Sequence, residues 1–550
     1  MNDQVLRIGI LADDTVTSSY VHDLVVWGRA QANIRIDHLI VHAPPKAEQA
    51  SARRGLRARL ASLLFRAVVK LERLRLARSG KFPRHGQMID LRPLVETVVS
   101  IAPRVSASGV VFRFDDAEVE RVKALRLDLL IRAGGGILRG GILSASRLGI
   151  LSFHHADNRI NRGMPAAFWE VFHQQDTTGF TLQRLTEELD GGDVLMRGRF
   201  PTRHYYQLNQ AALYEKSNHY LKLLLGRVAA SGDLPAALPS TPYSRALYRA
   251  PRSSETIGYM ARFLKDAAGK RIRRLRGREY QWQVSFTPAP WRQAVLWRAR
   301  TIPNPRGRYL ADPFVIERDG RTCCFVEDYD CSTKRGRISV YELNSGGSSE
   351  FLGPVVEEPF HLSFPYVFEH DGELYMCPES SANRDIRVYR CTGFPLEWRL
   401  EKVIMSDVRA ADTMLFEKDR CWWMLTNIDT ADTGDYCSDL FVFRSDSPLS
   451  DQWTPHAGNP VVLDAGYARN AGLLREGTRL YRVSQRQGFD QYGKGSQINE
   501  IVALSDSSYE ENCVAQIEPA FHDGIIGTHH MHCSGRMTVV DSLKLSPIVP

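Results

Sequence analysis

Three short runs in the first third of the chain are almost wholly apolar: Leu6-Arg7-Ile8-Gly9-Ile10-Leu11, Ile36-Asp37-His38-Leu39-Ile40-Val41 and Leu127-Asp128-Leu129-Leu130-Ile131. Strands buried on both faces of a parallel sheet read this way. Asp116 to Leu125, just before the third run, instead spaces its apolar residues at helical intervals. Strand, helix and strand in alternation predict a doubly wound α/β sheet, whose ligands bind beyond the carboxyl ends of its strands. Helical spacing returns in Asn209 to Leu225 and Ser254 to Lys265, with Pro and Ser between them. From about Trp291 the texture changes to short strands, turns and aromatics. The division expected is therefore 1–205 as an α/β domain, 206–290 as a helical tail and linker, and 291–550 as an all-β domain.

The second half repeats itself. Ala311-Asp312-Pro313-Phe314-Val315-Ile316-Glu317 aligns with Ser363-Phe364-Pro365-Tyr366-Val367-Phe368-Glu369 at a shift of fifty-two residues, which also superposes Glu327 on Glu379. Further units start at Ala411-Asp412, Arg469-Asn470 and Thr528-His529-His530. Five units of about fifty residues, each a strand, a turn and a strand, predict a five-bladed β-propeller.

Composition narrows the setting. Of the 550 residues 43% are hydrophobic and 24% charged, ordinary for globular domains. No apolar run reaches the length of a membrane span, and the first strand begins at once without room for a signal peptide. A cytoplasmic protein is expected. All nine cysteines lie between Cys323 and Cys533, with no C-x-x-C and an odd count. That pattern favours buried free thiols over a disulfide framework or a zinc site, and no metal is expected. Part of the +8 net charge is concentrated in residues 53–81, a basic amphipathic helix following the second strand, and in Lys270 to Arg276. With few aromatics for stacking, the helix should cover the sheet or the neighbouring domain; peripheral membrane contact is the other reading. No nucleic-acid partner is expected.

Four blocks carry candidate chemistry: Ser152-Phe153-His154, Arg162-Gly163-Met164-Pro165, Thr178-Gly179-Phe180-Thr181 and Asp190-Gly191-Gly192-Asp193-Val194-Leu195. Their order resembles the core of folate-dependent formyltransferases, which read Asn-x-His, Arg-Gly-x-x-Pro, Thr-Gly-x-Thr and Asp-x-Gly-x-Ile/Val-Leu. The resemblance implies 10-formyltetrahydrofolate as co-substrate and an amine as acceptor. It makes His154 a donor to the tetrahedral oxyanion and Asp190 the carboxylate that orients it and helps move the proton. Backbone contact with the pterin falls to Gly134, Gly135, Gly136, Ile137 and Leu138, with Gly191 beside them. Ser152 stands where the family has Asn, so a shorter hydroxyl replaces the second oxyanion donor; His155 is a possible substitute. Pro165 comes one residue early.

The Asp312-Pro313 opening and the recurring carboxylates resemble the five-bladed propellers of the arabinanase and fructosidase superfamily. A nearer resemblance is to the N-terminal domain of plant glucosamine inositolphosphorylceramide transferases. The implied glycan site draws on Asp312, Glu327, Glu379, Asp412, Arg469, His529 and His530, with Tyr329 or Tyr366 stacking on sugar rings. Two functions follow. One is a formyltransferase acting on an amino sugar or nucleotide sugar, with the propeller holding the glycan. The alternative is a carbohydrate-active propeller, binder or glycoside hydrolase, carrying a non-catalytic formyltransferase fold.

Overall fold

The computed structural model describes residues 5–42, 56–78, 86–107, 109–188 and 192–547, excepting the side chains of 56–62. Asp190 and Gly191 lie outside the described residues, as do the two ends of the basic stretch 53–81. Two compact units divide the chain, Met1–Phe263 and Leu264–Pro550.

The first unit begins β1 (Leu6–Ala12), α1 (Ser19–Arg29), β2 (Ile34–Val41), α2 (Leu56–Arg78), β3 (Thr97–Ser100) and α3 (Asp116–Lys123). It continues β4 (Leu129–Ala133), β5 (Ile150–His154), β6 (Thr177–Arg184), β7 (Asp193–Pro201), α4 (Tyr206–Ser231) and α5 (Ser253–Leu275), the last running past the unit boundary. The sheet order is β7-β6-β5-β4-β1-β2-β3. Strands β3, β2, β1, β4 and β5 are parallel, and β6 and β7 add an antiparallel edge. The chain winds outward from β1 to β3 and then returns to β4 on β1's other side. The direction of winding therefore switches between β1 and β4, the position at which open α/β sheets generally bind ligands.

Apolar residues decide the packing. Leu11, Leu130 and Ile150 of the sheet meet Val119 and Val122 of α3 in one buried cluster. Helix α4 buries Leu213, Leu221, Leu225 and Val228, each stabilising the fold by about 1.5–3 kcal/mol relative to exposure. Its Tyr220 stacks on Phe180 of β6 at 5.2 Å. The helix stops at Gly232, whose φ of +84° is costly for other residues. Within basic α2 one acid, Glu72, is buried, accepting from Gln207 N at 2.8 Å and Tyr259 Oη at 2.9 Å. The helix is thus packed down on α4 and α5. Among the described residues no helix is long and apolar enough to cross a membrane.

Among its described residues the second unit contains five antiparallel sheets. Their leading strands are Arg308–Arg318, Ser363–His370, Ala410–Lys418, Asn470–Glu476 and Met531–Ser534. Each contacts the next in sequence order, and the fifth contacts the first. The fifth sheet corrects the sequence reading: Arg278–Thr287, placed in the linker, is a ten-residue strand paired along its length with Met537–Pro547. Helical residues just before it masked the alternation of Trp282, Val284 and Phe286, which are buried. The nine cysteines are all free; Cys323, Cys324, Cys377 and Cys437 are buried, whereas Cys331 and Cys513 are exposed.

Candidate functional site

The repeat has a structural device at its centre. Strand pairing slips between Ala311 and Phe314, Ser363 and Tyr366, Ala411 and Met414, and Asn470 and Gly472. Within these bulges Asp312, Phe364 and Asp412 have φ of +49°, +47° and +49°. A bulge re-aims the side chain it carries, and a non-glycine residue there costs on the order of 1–3 kcal/mol. Opposite the bulges, equivalent pairs are Ala311 with Glu327, Ser363 with Glu379, Ala411 with Asn427 and Asn470 with Ser484. The repeat therefore delivers Asp312, Asp412, Glu327 and Glu379 to one place.

They form a buried acidic cluster with two cations. Asp412 Oδ2 accepts from Arg469 Nε at 2.6 Å and from Gln485 Nε2 at 3.1 Å. Arg469 Nη2 also reaches Glu379 Oε2 at 3.4 Å, and Ser381 Oγ donates to Glu379 Oε1 at 2.7 Å. Asp312 Oδ1 lies 3.1 Å from His529 Nε2, and Asp541 Oδ2 lies 2.8 Å from His529 Nδ1. Asp312 Oδ2 accepts from Phe364 N at 3.3 Å, tying the first sheet to the second. Glu327 has His361 Nε2 at 3.7 Å.

The protonation states separate. Burial opposes charge on Asp312, but the charge and hydrogen bond of His529, then His530 and Arg469, bring its carboxyl down to about 2. Burial likewise opposes charge on His529, yet Asp541 and Asp312 raise it to about 10, so it is an imidazolium at neutral pH. Glu327 goes the other way: burial, then the charges of Asp312 and Glu379, push its carboxyl well above the usual range. Burial pushes Asp412 up as well, against the opposing charge of Arg469, so the cluster holds carboxyls displaced in opposite directions, the kind of division acid–base chemistry uses.

His530 also reaches the cluster, its Nδ1 3.8 Å from Asp312 Oδ1, but its ring packs into the core. His530 is fully buried against Phe314 and Phe364, at 4.5 and 5.3 Å between ring centres, and burial holds it neutral with a pKa of about 3. Tyr366 is a core residue, 4% exposed. Tyr329 is only half-buried and stacks on Tyr309 at 4.6 Å. Sequence reasoning missed Tyr492, 39% exposed, with its ring 5.0 Å from the Arg469 guanidinium. It also missed Gln485, Asp541 and Trp282, whose ring centre lies 3.9 Å from that of His529. Asn427 and Ser484 were accessible from the repeat; Asp541 and Trp282 had no such signal. Among the described residues one trio, Asp312, His529 and Asp541, has the spacing of metal ligands. Because His529 gives opposite ring nitrogens to the two carboxylates, a bridging imidazolium accounts for it.

In the first unit His154 ends β5, paired with Thr181, and its Nε2 donates to Asn161 O at 3.0 Å. To serve an oxyanion through Nε2 it must release that carbonyl. Ser152 is half-buried opposite Gln183, its Oγ 3.5 Å from Phe153 O. His155 does not replace the missing donor. It is wedged between Phe153 and Tyr214, at 5.1 and 4.4 Å, and burial takes its pKa to about 3. The Thr-Gly-x-Thr block is a brace: Thr181 Oγ1 donates to Ala156 O at 3.0 Å, and Thr178 Oγ1 donates to Asn209 Oδ1 at 3.1 Å. Arg162 donates to Asn158 O at 2.9 Å, and Gly163 pairs with Tyr248. Of the glycine loop, Gly135 N donates to Asp13 Oδ2 at 2.9 Å and Arg132 donates to the carbonyls of Gly134, Gly135 and Gly136. Ile137 N donates to Val110 O at 2.7 Å, and Leu138 is buried in the core.

Residues 297–525 match the family described as glucosamine inositolphosphorylceramide transferase 1, N-terminal. Glucosamine inositolphosphorylceramide transferase 1 of Oryza sativa subsp. japonica is 34% identical over 251 residues, 44% of this chain and 33% of that protein. The Arabidopsis thaliana protein of that name is 35% identical over 37% of this chain and 27% of its own length. The chain thus spans about a third or less of these relatives. Methionyl-tRNA formyltransferase of Halalkalibacterium halodurans is 22% identical over 44% of this chain and 77% of its own. Among solved structures, glycinamide ribonucleotide transformylase 1 from Symbiobacterium toebii matches 44% of this chain and 95% of its own, at 20% identity and a TM-score of 0.28. A thermostable family-43 glycoside hydrolase matches 37% and 74%, at 15% identity and a TM-score of 0.31. The chain joins an N-terminal region similar to formyltransferases to a β-rich region that matches the N-terminal domain of glucosamine inositolphosphorylceramide transferase 1.

Proposed function

We propose that this chain acts on a carbohydrate held at the acidic cluster of its second unit. The observation carrying this reading is the convergence of Asp312, Glu327, Glu379, Asp412 and Arg469 from repeat-equivalent positions, beside the half-exposed Tyr492. Sugar hydroxyls donate to carboxylates and accept from guanidinium, and an aromatic face covers ring C–H groups. We read the five sheets as the blades of a five-bladed propeller, with the cluster at its central mouth. Contacts between successive leading strands, and between the fifth and the first, support that reading. Glu327, its carboxyl pushed up, and Asp312, its carboxyl held down, offer the acid and carboxylate pairing used on glycosidic bonds.

The experiment is calorimetric titration of the full chain with amino-sugar and neutral oligosaccharides. Binding lost in Glu379→Gln and Glu327→Gln, with melting not lowered, supports the site; equal binding in both variants refutes it.

A second reading rests on His154 at the carboxyl end of β5. The first unit transfers a formyl group from 10-formyltetrahydrofolate to an amine on that carbohydrate, with His154 and Asp190 in the roles given above. Loss of transfer in His154→Ala, with the fold intact, tests it.

A further inference from the structure

The carboxyl ends of β1, β2 and β4 bring together three side chains that neither reading uses: Asp13, His42 and Arg132. His42 is fully buried and Arg132 is 8% exposed. Two of them brace the glycine loop with one end of the side chain. Asp13 Oδ2 accepts from Gly135 N at 2.9 Å, and Arg132 Nε and Nη2 donate to Gly134 O and Gly136 O at 3.1 and 2.8 Å.

The other ends are unmatched. Asp13 Oδ1, Arg132 Nη1 and both ring nitrogens of His42 are buried without a hydrogen-bond partner. His42 Nε2 lies 3.5 Å from Asp13 Oδ1. Leaving such atoms unpaired in a protein interior is costly. The three residues follow or end strands at the carboxyl edge of the sheet, the edge where open α/β sheets bind their ligands. Asp13 is itself 40% exposed, giving an approach from solvent.

We propose that Asp13, His42 and Arg132 form a subsite for the vicinal hydroxyls of a sugar ring, whether of a free sugar or of the ribose of a nucleoside. The chemistry follows from the atoms left over. Asp13 Oδ1 needs a donor and Arg132 Nη1 an acceptor. Burial, opposed by Asp13, keeps His42 neutral, so one of its ring nitrogens donates and the other accepts. A hydroxyl does both at once. Phosphate or carboxylate would meet the charge of Asp13, and an ammonium group that of Arg132. The walls are apolar: the rings of Phe112 and Phe114 lie 5.7 and 5.9 Å from that of His42. A Cβ at Gly134 would lie 2.2 Å from Asp13 Oδ1, so the loop's lack of side chains keeps the subsite in shape. Because the same residues hold the loop and present the free atoms, a bound diol also fixes the glycine loop.

The proposal does not depend on the acidic cluster, and its test reads the first unit alone. Histidine-labelled full chain is titrated by NMR with adenosine, 2′,3′-dideoxyadenosine, methyl glucoside, its 3,4-dideoxy analogue and inorganic phosphate, the His42 signal being assigned with His42→Phe. The expected result is a saturable His42 shift with one intact diol and about tenfold or greater weakening in its deoxy partner. Phosphate should have no effect. Which parent binds separates a nucleoside from a free sugar. Asp13→Asn, which keeps an acceptor for Gly135 N but turns the free oxygen into a donor, should weaken binding while melting stays the same. The proposal is overturned if parent and deoxy probes act alike, if phosphate binds better, or if no probe moves His42 and water alone fills the subsite.

Discussion

His529 is held between two carboxylates, Nε2 3.1 Å from Asp312 Oδ1 and Nδ1 2.8 Å from Asp541 Oδ2. The relationship joins the start of the repeat array to its last strand, and it sets a pH signature. The His529 pKa is raised to about 10 from 6.5, so its stabilisation is complete below pH 6.5 and is lost as pH rises through about 10. Asp312, depressed to about 2 from 3.8, contributes above 3.8 and loses its contribution as pH falls through about 2. His529→Asn should therefore lower the melting temperature by several degrees near pH 6 and by much less near pH 10. Equal losses at both pH values would contradict the imidazolium.

Glu327 predicts the opposite trend. Its carboxyl pKa is raised in the folded chain, so ionisation opposes folding as pH climbs above the ordinary carboxylate value. Glu327→Gln keeps the shape of the protonated acid. It should melt at or above the parent temperature at pH 7, with the advantage growing toward pH 9, while any glycosidic proton donation is lost. Calorimetric scans across that range check the first point.

In the first unit Ser152→Asn restores a longer donor at the end of β5. If one oxyanion donor is what limits formyl transfer, the rate should rise by about a hundred- to a thousandfold, the usual worth of such a group. A rate assay with 10-formyltetrahydrofolate and an amino sugar reads it; an unchanged rate would mean that the acceptor geometry does not use this position.

Arg278–Thr287 pairs along ten residues with Met537–Pro547 and buries Trp282, Val284 and Phe286. A fragment beginning at residue 291 should fail to melt cooperatively, whereas one beginning at Leu264 should do so. Circular dichroism of the two fragments decides it; cooperative melting of the shorter one would make that strand dispensable.

The sequence shows the strands of the first unit well because they are apolar on both faces, and only their ends move: β4 runs Leu129–Ala133, since Asp128 turns aside to accept from Arg7 N at 2.9 Å. The fifty-residue repeat likewise made Asp312, Glu327, Glu379 and Asp412 visible, because equivalent register carries equivalent direction. What it hid was depth. Nothing in a His-His pair says that His529 bridges two carboxylates while His530 packs on Phe314 and Phe364. Asp541 and Trp282 come from strands outside the repeat alignment, and their place depends on pairing between the two ends of the unit.

The central claim is that the acidic cluster is a carbohydrate site, and Arg469 tests it most directly. Its guanidinium bonds Asp412 of the third sheet, reaches Glu379 of the second and lies against Tyr492, so melting of each variant is read beside its binding. Calorimetric titration of full-length Arg469→Lys and Tyr492→Ala with the oligosaccharide bound by the parent chain should show binding weakened about tenfold or more in each. Parent-level binding in both variants would contradict the account.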